Sequence, residues 1–404
     1  MRSMRPLALA IIGLAVWPIA AQSSSPPRRP LRVVLYPFVP DKVGLFRVVE
    51  QSFERRHPDV DLQIVDLSDN YYDQDSPHAV TNTDADVLEV DSVFIQDLID
   101  GRKIRAIPAG LRASTARLLR VAEEAVTNGP SWFGVPHWVC TNFLFSRPDD
   151  PLSHAATLDD LTVAIGENHP AGRGLLIDLK GRSTLGELYL DALLDKYKTL
   201  AGADPFVSVA TRDQAVVDDL KKVRQLCDRD LCRDADYHDR VGLYARLFAR
   251  DQGRALAGYS ERLYYVGDEV LNACKKGECR GLDQITMVPL PLSSKGSQPF
   301  AWVDSFAIAS TCARRCLQDA EAFIRGTTGV DAVRAQLTPG SGEAARYLMP
   351  ALDALYTDPQ LLQSAPLYSK LYAAVQRAVA VREAGLNKAL REMGAHLDRN
   401  ELPK

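Results

Sequence analysis

The sequence predicts an α/β protein folded as two lobes, and three observations carry that expectation. The first is a strand–helix–strand run between Leu31 and Leu67, whose length implies a right-handed βαβ unit with parallel pairing. The second is the return of alternating strand and helix patterns after the turn Pro148-Asp149-Asp150-Pro151. The third is length, since 404 residues suffice for two domains of ordinary size.

In chain order, Arg2 and Arg5 precede an apolar run from Leu7 to Ala20, followed by small residues at Ala20-Ala21-Gln22. This is the outline of a secretion signal over 1–22, with 23–30 as a flexible leader. No later stretch reaches 18 uninterrupted apolar residues, so a soluble, exported protein (secreted or periplasmic) is expected. Leu31 to Tyr36 reads as a strand, and Leu45, Val48, Val49 and Phe53 mark one face of a helix. Val60 to Leu67 reads as the second strand, with the loop Ser68 to Asp73 at its carboxyl end, the edge where open α/β sheets bind ligands. Ala85 to Asp91 reads as a third strand ending in a carboxylate, and a helix follows from Val93 to Gly101. Helical periods recur over Leu158–Gly166, Leu185–Leu200 and Asp213–Leu226. Further strands are expected at Leu175–Leu179, Arg254–Tyr259, Ile285–Leu290 and Phe300–Ile308. Ser260 suits a helix N-cap, which puts Glu261 in the first turn.

The stretch from Trp132 to Arg147 is turn-forming at Gly134, extended at Val135-Pro136, and then rich in aromatic and branched residues. It reads as one buried strand with Cys140 at its middle. Six of the seven cysteines lie in close couples, Cys227 with Cys232, Cys274 with Cys279 and Cys312 with Cys316. Local disulfides fit an exported chain, although six cysteines allow 15 connectivities and the sequence does not choose among them. Zinc competes, but the two-residue gaps and partner histidines are missing. Cys140 is left over, and an unpaired thiol in an oxidising compartment is either buried or needed.

A net charge of −4 and a charged fraction of 25% give no reason to expect nucleic acid or an anionic membrane as partner. The histidines show no metal spacing, and neither a phosphate-cradling glycine loop nor a serine-hydrolase elbow is present. His137 lies three residues before Cys140. On extended backbone that separation puts the two side chains on opposite faces, which argues against a cysteine–histidine pair.

With "LRVVLYP", "GYSER" and "KGSQPFAWVDSFAIAS" in this order, the chain resembles extracellular solute-binding proteins of the maltose-binding type, the type II periplasmic-binding-protein fold. The resemblance implies a ligand cleft between lobes joined by hinge crossovers, each lobe discontinuous: 31–137 with 303–340, and 138–302 with 341–404. Within that fold, "GVPHWVCTNFLFSR", "GYSER", "EVDSVF" and "WVDS" resemble segments of the thiamine pyridinylase (thiaminase I) family. That likeness implies Cys140 as nucleophile and Glu261 as base. It further implies Asp91 and Asp304 as binders of the substrate's charged pyrimidine, with Tyr36, Tyr71 and Tyr259 lining the cleft. The double tyrosine Tyr71-Tyr72 leaves the middle position open by one residue. The activity implied is transfer: the thiazole of thiamine leaves, and an amine or thiol takes its place through a covalent cysteine–pyrimidine intermediate. No metal or cofactor is implied, and a monomer is expected. The alternative is a non-catalytic solute-binding protein of a transporter, with a cysteine peptidase a distant third. Cys140 discriminates, because a pure binder has no use for a free thiol facing its cleft.

Overall fold

The computed structural model describes residues 27–199, 208–228, 231–233, 242–275, 277–340 and 342–402, apart from the side chains of 182 and 183. The expected secretion signal and residues 23–26 of the leader lie outside the described residues. The first strand starts at Arg29, within the expected leader, because the Arg29 amide donates to the Asp59 carbonyl and its guanidinium pairs with Asp59 and Asp319. None of the described helices is long and apolar enough to cross a membrane.

Two main sheets organise the chain. The larger runs in the order Met349–Pro350, Val135–Cys140, Phe300–Ile308, Val87–Asp91, Arg29–Val34 and Val60–Val65, with Val379–Ala380 also paired to Phe300–Ile308. Arg29–Val34 lies parallel to both Val60–Val65 and Val87–Asp91, as the opening βαβ pattern requires. The helix between the first two strands, Lys42–Arg56, buries Leu45, Val49 and Phe53, the face that the apolar spacing marks. The smaller sheet runs Thr286–Pro289, Phe143–Ser146, Ala255–Gly258, Leu175–Leu176.

The stretch read as a single strand around Cys140 is two strands in two sheets. Val135–Cys140 pairs with Phe300–Ile308 in the larger sheet, and Phe143–Ser146 pairs with Ala255–Gly258 in the smaller. Thr141 and Asn142 are the crossover between them, and Asn142 is pinned there by donating to Asp191 at 2.7 Å. Gly134 lets the strand pack closely at its start, since a Cβ there would sit 2.9 Å from that of Ser305. The larger sheet draws on residues 29–140 and 300–380, and the smaller on 143–289. The expected lobe boundary at 137/138 therefore falls inside a strand, and segment 341–404 contributes two short strands to the larger sheet.

The return crossover, between Pro289 and Phe300, is held by the same helix as the first. Asp195 of helix Arg182–Tyr197 accepts from the amides of Leu292 at 2.7 Å and Gln298 at 2.5 Å. Asp191 and Asp195 are one turn apart, so they lie on one face of that helix. The helix packs against Leu386–His396 at Gly186, where a Cβ would come within 2.1 Å of the Leu390 carbonyl oxygen.

The three close cysteine couples are disulfides, Cys227–Cys232, Cys274–Cys279 and Cys312–Cys316, and Cys140 is free. Among the described residues, Asp86, Cys312 and Cys316 are near enough together to hold a metal, but both sulfurs are spent on each other. Ser260 is not the expected N-cap. It is buried and donates to the Tyr347 carbonyl at 2.6 Å, and Glu261 takes the cap position of helix Arg262–Asn272.

Gly186→Ala is expected to destabilise the protein by about 1–3 kcal/mol, because the clash with backbone outweighs a helix-propensity gain of about 1 kcal/mol. Chemical denaturation checks this; an unchanged or raised midpoint would show that the two helices can move apart freely.

Candidate active site

The site is built where the two sheets face each other. From the larger sheet come Asp91 and Asp304, which lie directly opposite each other on antiparallel neighbours, and Cys140, opposite Trp302. From the smaller sheet and its helices come Tyr259, just after strand Ala255–Gly258, then Glu261, and Glu187 of helix Arg182–Tyr197. All of these line one cavity of about 300 Å³, together with Tyr36, Tyr72, Phe38, Asp178 and Arg262. That is the small end of the range for small-molecule sites.

Each wall is ordered by hydrogen bonds. One Asp91 oxygen accepts from the Val93 amide at 2.9 Å and caps helix Ser92–Asp100, so the plain role of a strand-end aspartate is present too. The other accepts from the Tyr72 hydroxyl at 2.7 Å, which lies 2.9 Å from the hydroxyl of Tyr36. Behind this row, Glu89 accepts from the Tyr36 amide at 2.8 Å and meets His137 Nδ1 at 2.6 Å. His137 is thus turned into the core and does not line the cavity. On the facing wall the Tyr259 hydroxyl donates to Glu187.

Of the expected site residues, Cys140, Glu261, Asp91, Asp304, Tyr36 and Tyr259 converge on the cavity, and Tyr71 does not. Tyr71 is 1% exposed; its hydroxyl donates to the Glu89 carbonyl and accepts from the Asp91 amide, both at 3.0 Å. Tyr72 lines the cavity in its place, which corrects the middle position by one residue. The two rings pack edge to face, 4.9 Å between centroids, with Tyr71 buried behind and Tyr72 at the cavity wall. Sequence reasoning missed Glu187 and Trp302. Trp302 sits within the quoted "WVDS" segment. The signal for Glu187 was Glu187, Asp191 and Asp195 recurring every fourth residue, an acidic stripe on an otherwise apolar helix.

Carboxyls dominate the electrostatics, with Arg262 at the cavity lowering Glu261 against the effect of burial. Burial holds Asp91 at about 6 and Glu187 at about 7. Asp304 is pushed well above the carboxylate range by burial and then by the Asp91 charge beside it. Among the described residues, one of its oxygens is buried without a hydrogen-bond partner. Burial also raises Glu261. The Cys140 thiol is pushed up by burial first, and then by the charges of Asp304, Glu261, Asp91 and Glu187. Burial thus favours the protonated carboxyls, and a cation entering the cavity would favour their ionised forms.

Comparison with known proteins follows the same outline. Residues 141–276 match the family model described as the Thiaminase-1 domain. Thiaminase-1 of Paenibacillus thiaminolyticus is 27% identical over 386 residues, covering 91% of this chain and 87% of the relative. Clostridium botulinum thiaminase I, solved in complex with thiamin, superposes with a TM-score of 0.77 at 22% identity, over 90% of this chain and 98% of that one. The maltose-bound MalE3 of T. maritima superposes with a TM-score of 0.69 at 16% identity, over 92% and 95% of the two chains.

These raised carboxyl groups set a pH dependence. Groups held above their usual values stabilise the fold while protonated and lose that contribution as pH rises through the folded-state value. Carrying Asp91 from 3.8 to about 6 is worth on the order of 3 kcal/mol, lost between about pH 4 and pH 7. Glu187, carried from 4.5 to about 7, adds to the loss up to about pH 8. Asp213, lowered to about 2 by Lys196 and Tyr197 against its own burial, acts below this window. The thermal midpoint of the ligand-free protein is therefore expected to fall by several degrees from pH 5 to pH 8. A flat or rising profile would contradict the charge arrangement. Residues 141–276 of this chain thus match the Thiaminase-1 domain, within the two-lobed fold that thiaminase I shares with the maltose-binding-type proteins.

Proposed function

We propose that this protein is a secreted thiamine-degrading transferase in which Cys140 is the nucleophile and Glu261 its base. The observation that carries the reading is the free Cys140 thiol opening into a cavity ringed by carboxylates, in a chain whose other six cysteines are paired. The likeness to a thiaminase I solved with thiamin supports the choice of substrate. The three disulfides fit an exported chain.

The chemistry follows from charge. Thiamine carries a fixed positive charge on its thiazolium ring and a basic aminopyrimidine. As that cation settles between Asp91, Asp304 and the row of Tyr36 and Tyr72, the carboxyls release their protons and the tyrosines offer faces and hydroxyls. The thiol then gives its proton to Glu261, and its sulfur bonds to a pyrimidine ring carbon. The bond between the methylene carbon and the thiazolium nitrogen breaks, its electron pair leaving with a neutral thiazole. An incoming amine or thiol bonds to the methylene carbon, and the carbon–sulfur pair returns to Cys140. Splitting one displacement into two steps avoids a direct attack that is slow in water. The lobes divide near the two crossovers, with hinge closure bringing Glu261 to the sulfur. The protein acts as a monomer.

A solute-binding protein without activity is the second reading, favoured by the likeness of the fold to MalE3. Its weakness is that it leaves Cys140 without a use.

Cys140→Ser is expected to reduce thiazole release at least a thousandfold while thiamine affinity, read by calorimetry, changes less than about threefold. A serine variant with normal turnover would remove the cysteine from the mechanism. Glu261→Gln is expected to lower kcat about a hundredfold or more with little effect on thiamine binding, within the range for one general base. An unchanged kcat would exclude the residue.

A further inference from the structure

Two carboxylates in the cavity, Asp178 and Glu187, have no part in the chemistry above. Glu187 is on the wall opposite Asp91 and Asp304, and among the described residues its hydrogen-bond partner is the neutral hydroxyl of Tyr259. The groups acting on it are Tyr259 and the acids Asp91 and Asp178, with no cation among them. Its helix is fixed by Asp191 and Asp195 to the crossovers that flank the site, so the carboxylate is held in place. Ionised above about pH 7, that carboxylate matches a positive charge supplied by the ligand.

We propose that Glu187 determines the second substrate, making the cleft select neutral amines over thiolates. This rests on the transferase reading and deepens it. When an amine attacks the pyrimidine adduct, its nitrogen lone pair forms the bond to the methylene carbon and the nitrogen becomes positive. The carbon–sulfur electron pair returns to Cys140, which recovers its proton from Glu261. A primary amine then passes its extra proton to Glu187, whereas a ring nitrogen without a proton leaves as a cation. A thiolate does the opposite and loses its negative charge as the new bond forms. A fixed carboxylate beside the reacting centre lowers the barrier for the first and raises it for the second. The departing thiazole occupies the same place. It is a cation before the exchange, so Glu187 faces a positive charge at both ends of the reaction.

The test compares the intact protein with E187Q and E187D at pH 8, using thiamine with aniline or with 2-mercaptoethanol as the second substrate. E187Q is expected to lower the ratio of kcat/KM for aniline to that for 2-mercaptoethanol at least tenfold. E187D, which keeps the charge, is expected to hold the ratio within about threefold of the parent. Should E187Q fail to fold, a ratio in E187D shifted tenfold or more would count against the proposal. An E187Q that releases thiazole with both nucleophiles slowed equally would overturn the subsite and leave the transferase reading standing. Absence of thiazole release by the unsubstituted protein would overturn that reading, and this inference with it.

Discussion

The structure turns on negative charge buried without its counterpart. Asp91 and Asp304 are placed face to face by the register of two antiparallel strands, and Glu187 and Glu261 approach from the other sheet. Burying carboxylates this way costs stability unless they hold protons or meet a cation. The surrounding frame is built to tolerate that cost. Helix Ser92–Asp100 is capped by Asp91 itself, Ser92 accepts from the Val303 amide at 3.1 Å, and Glu89 with His137 forms a closed polar pair behind the wall.

This arrangement couples binding to reactivity. Burial and the charges of Asp304, Glu261, Asp91 and Glu187 oppose ionisation of Cys140, which favours the less reactive thiol. A cationic guest reverses the local field and makes the thiolate accessible where it is useful. This also protects a lone cysteine from oxidation, because susceptibility follows thiolate character. A binding-protein cleft needs few additions to work this way: one sulfur, one base, and acids already suited to a cation.

Much of the fold was legible in the sequence because side-chain periodicity reports burial. The strand Phe300–Ile308 and the buried face of helix Lys42–Arg56 were both readable by that rule. Periodicity does not report which sheet a strand joins, and so Trp132–Arg147 looked continuous although it changes sheets at Thr141-Asn142. The same limit explains Ser260, whose hydroxyl is taken by a carbonyl 87 residues away. Cys140 stood out by cysteine pairing, and Asp91, Asp304 and Glu261 by likeness to a family. Glu187 had neither signal. Its role depends on a helix from one lobe facing strands of the other, a relation that exists only in three dimensions.

The two amides bound by Asp195 and the amide of Asn142 held by Asp191 hang both connections between the sheets from a single helix. A jaw suspended in this way cannot swing about an arbitrary axis. Any gape must keep the pivot beside helix Arg182–Tyr197 or break three hydrogen bonds, at about 0.5–1.5 kcal/mol each. Glu187 stands on that same rod, so its distance from the pivot would stay constant in any such movement. On the proposed reading, the acid for the exchanged group stands at the fulcrum and the grip for the pyrimidine on the facing rim.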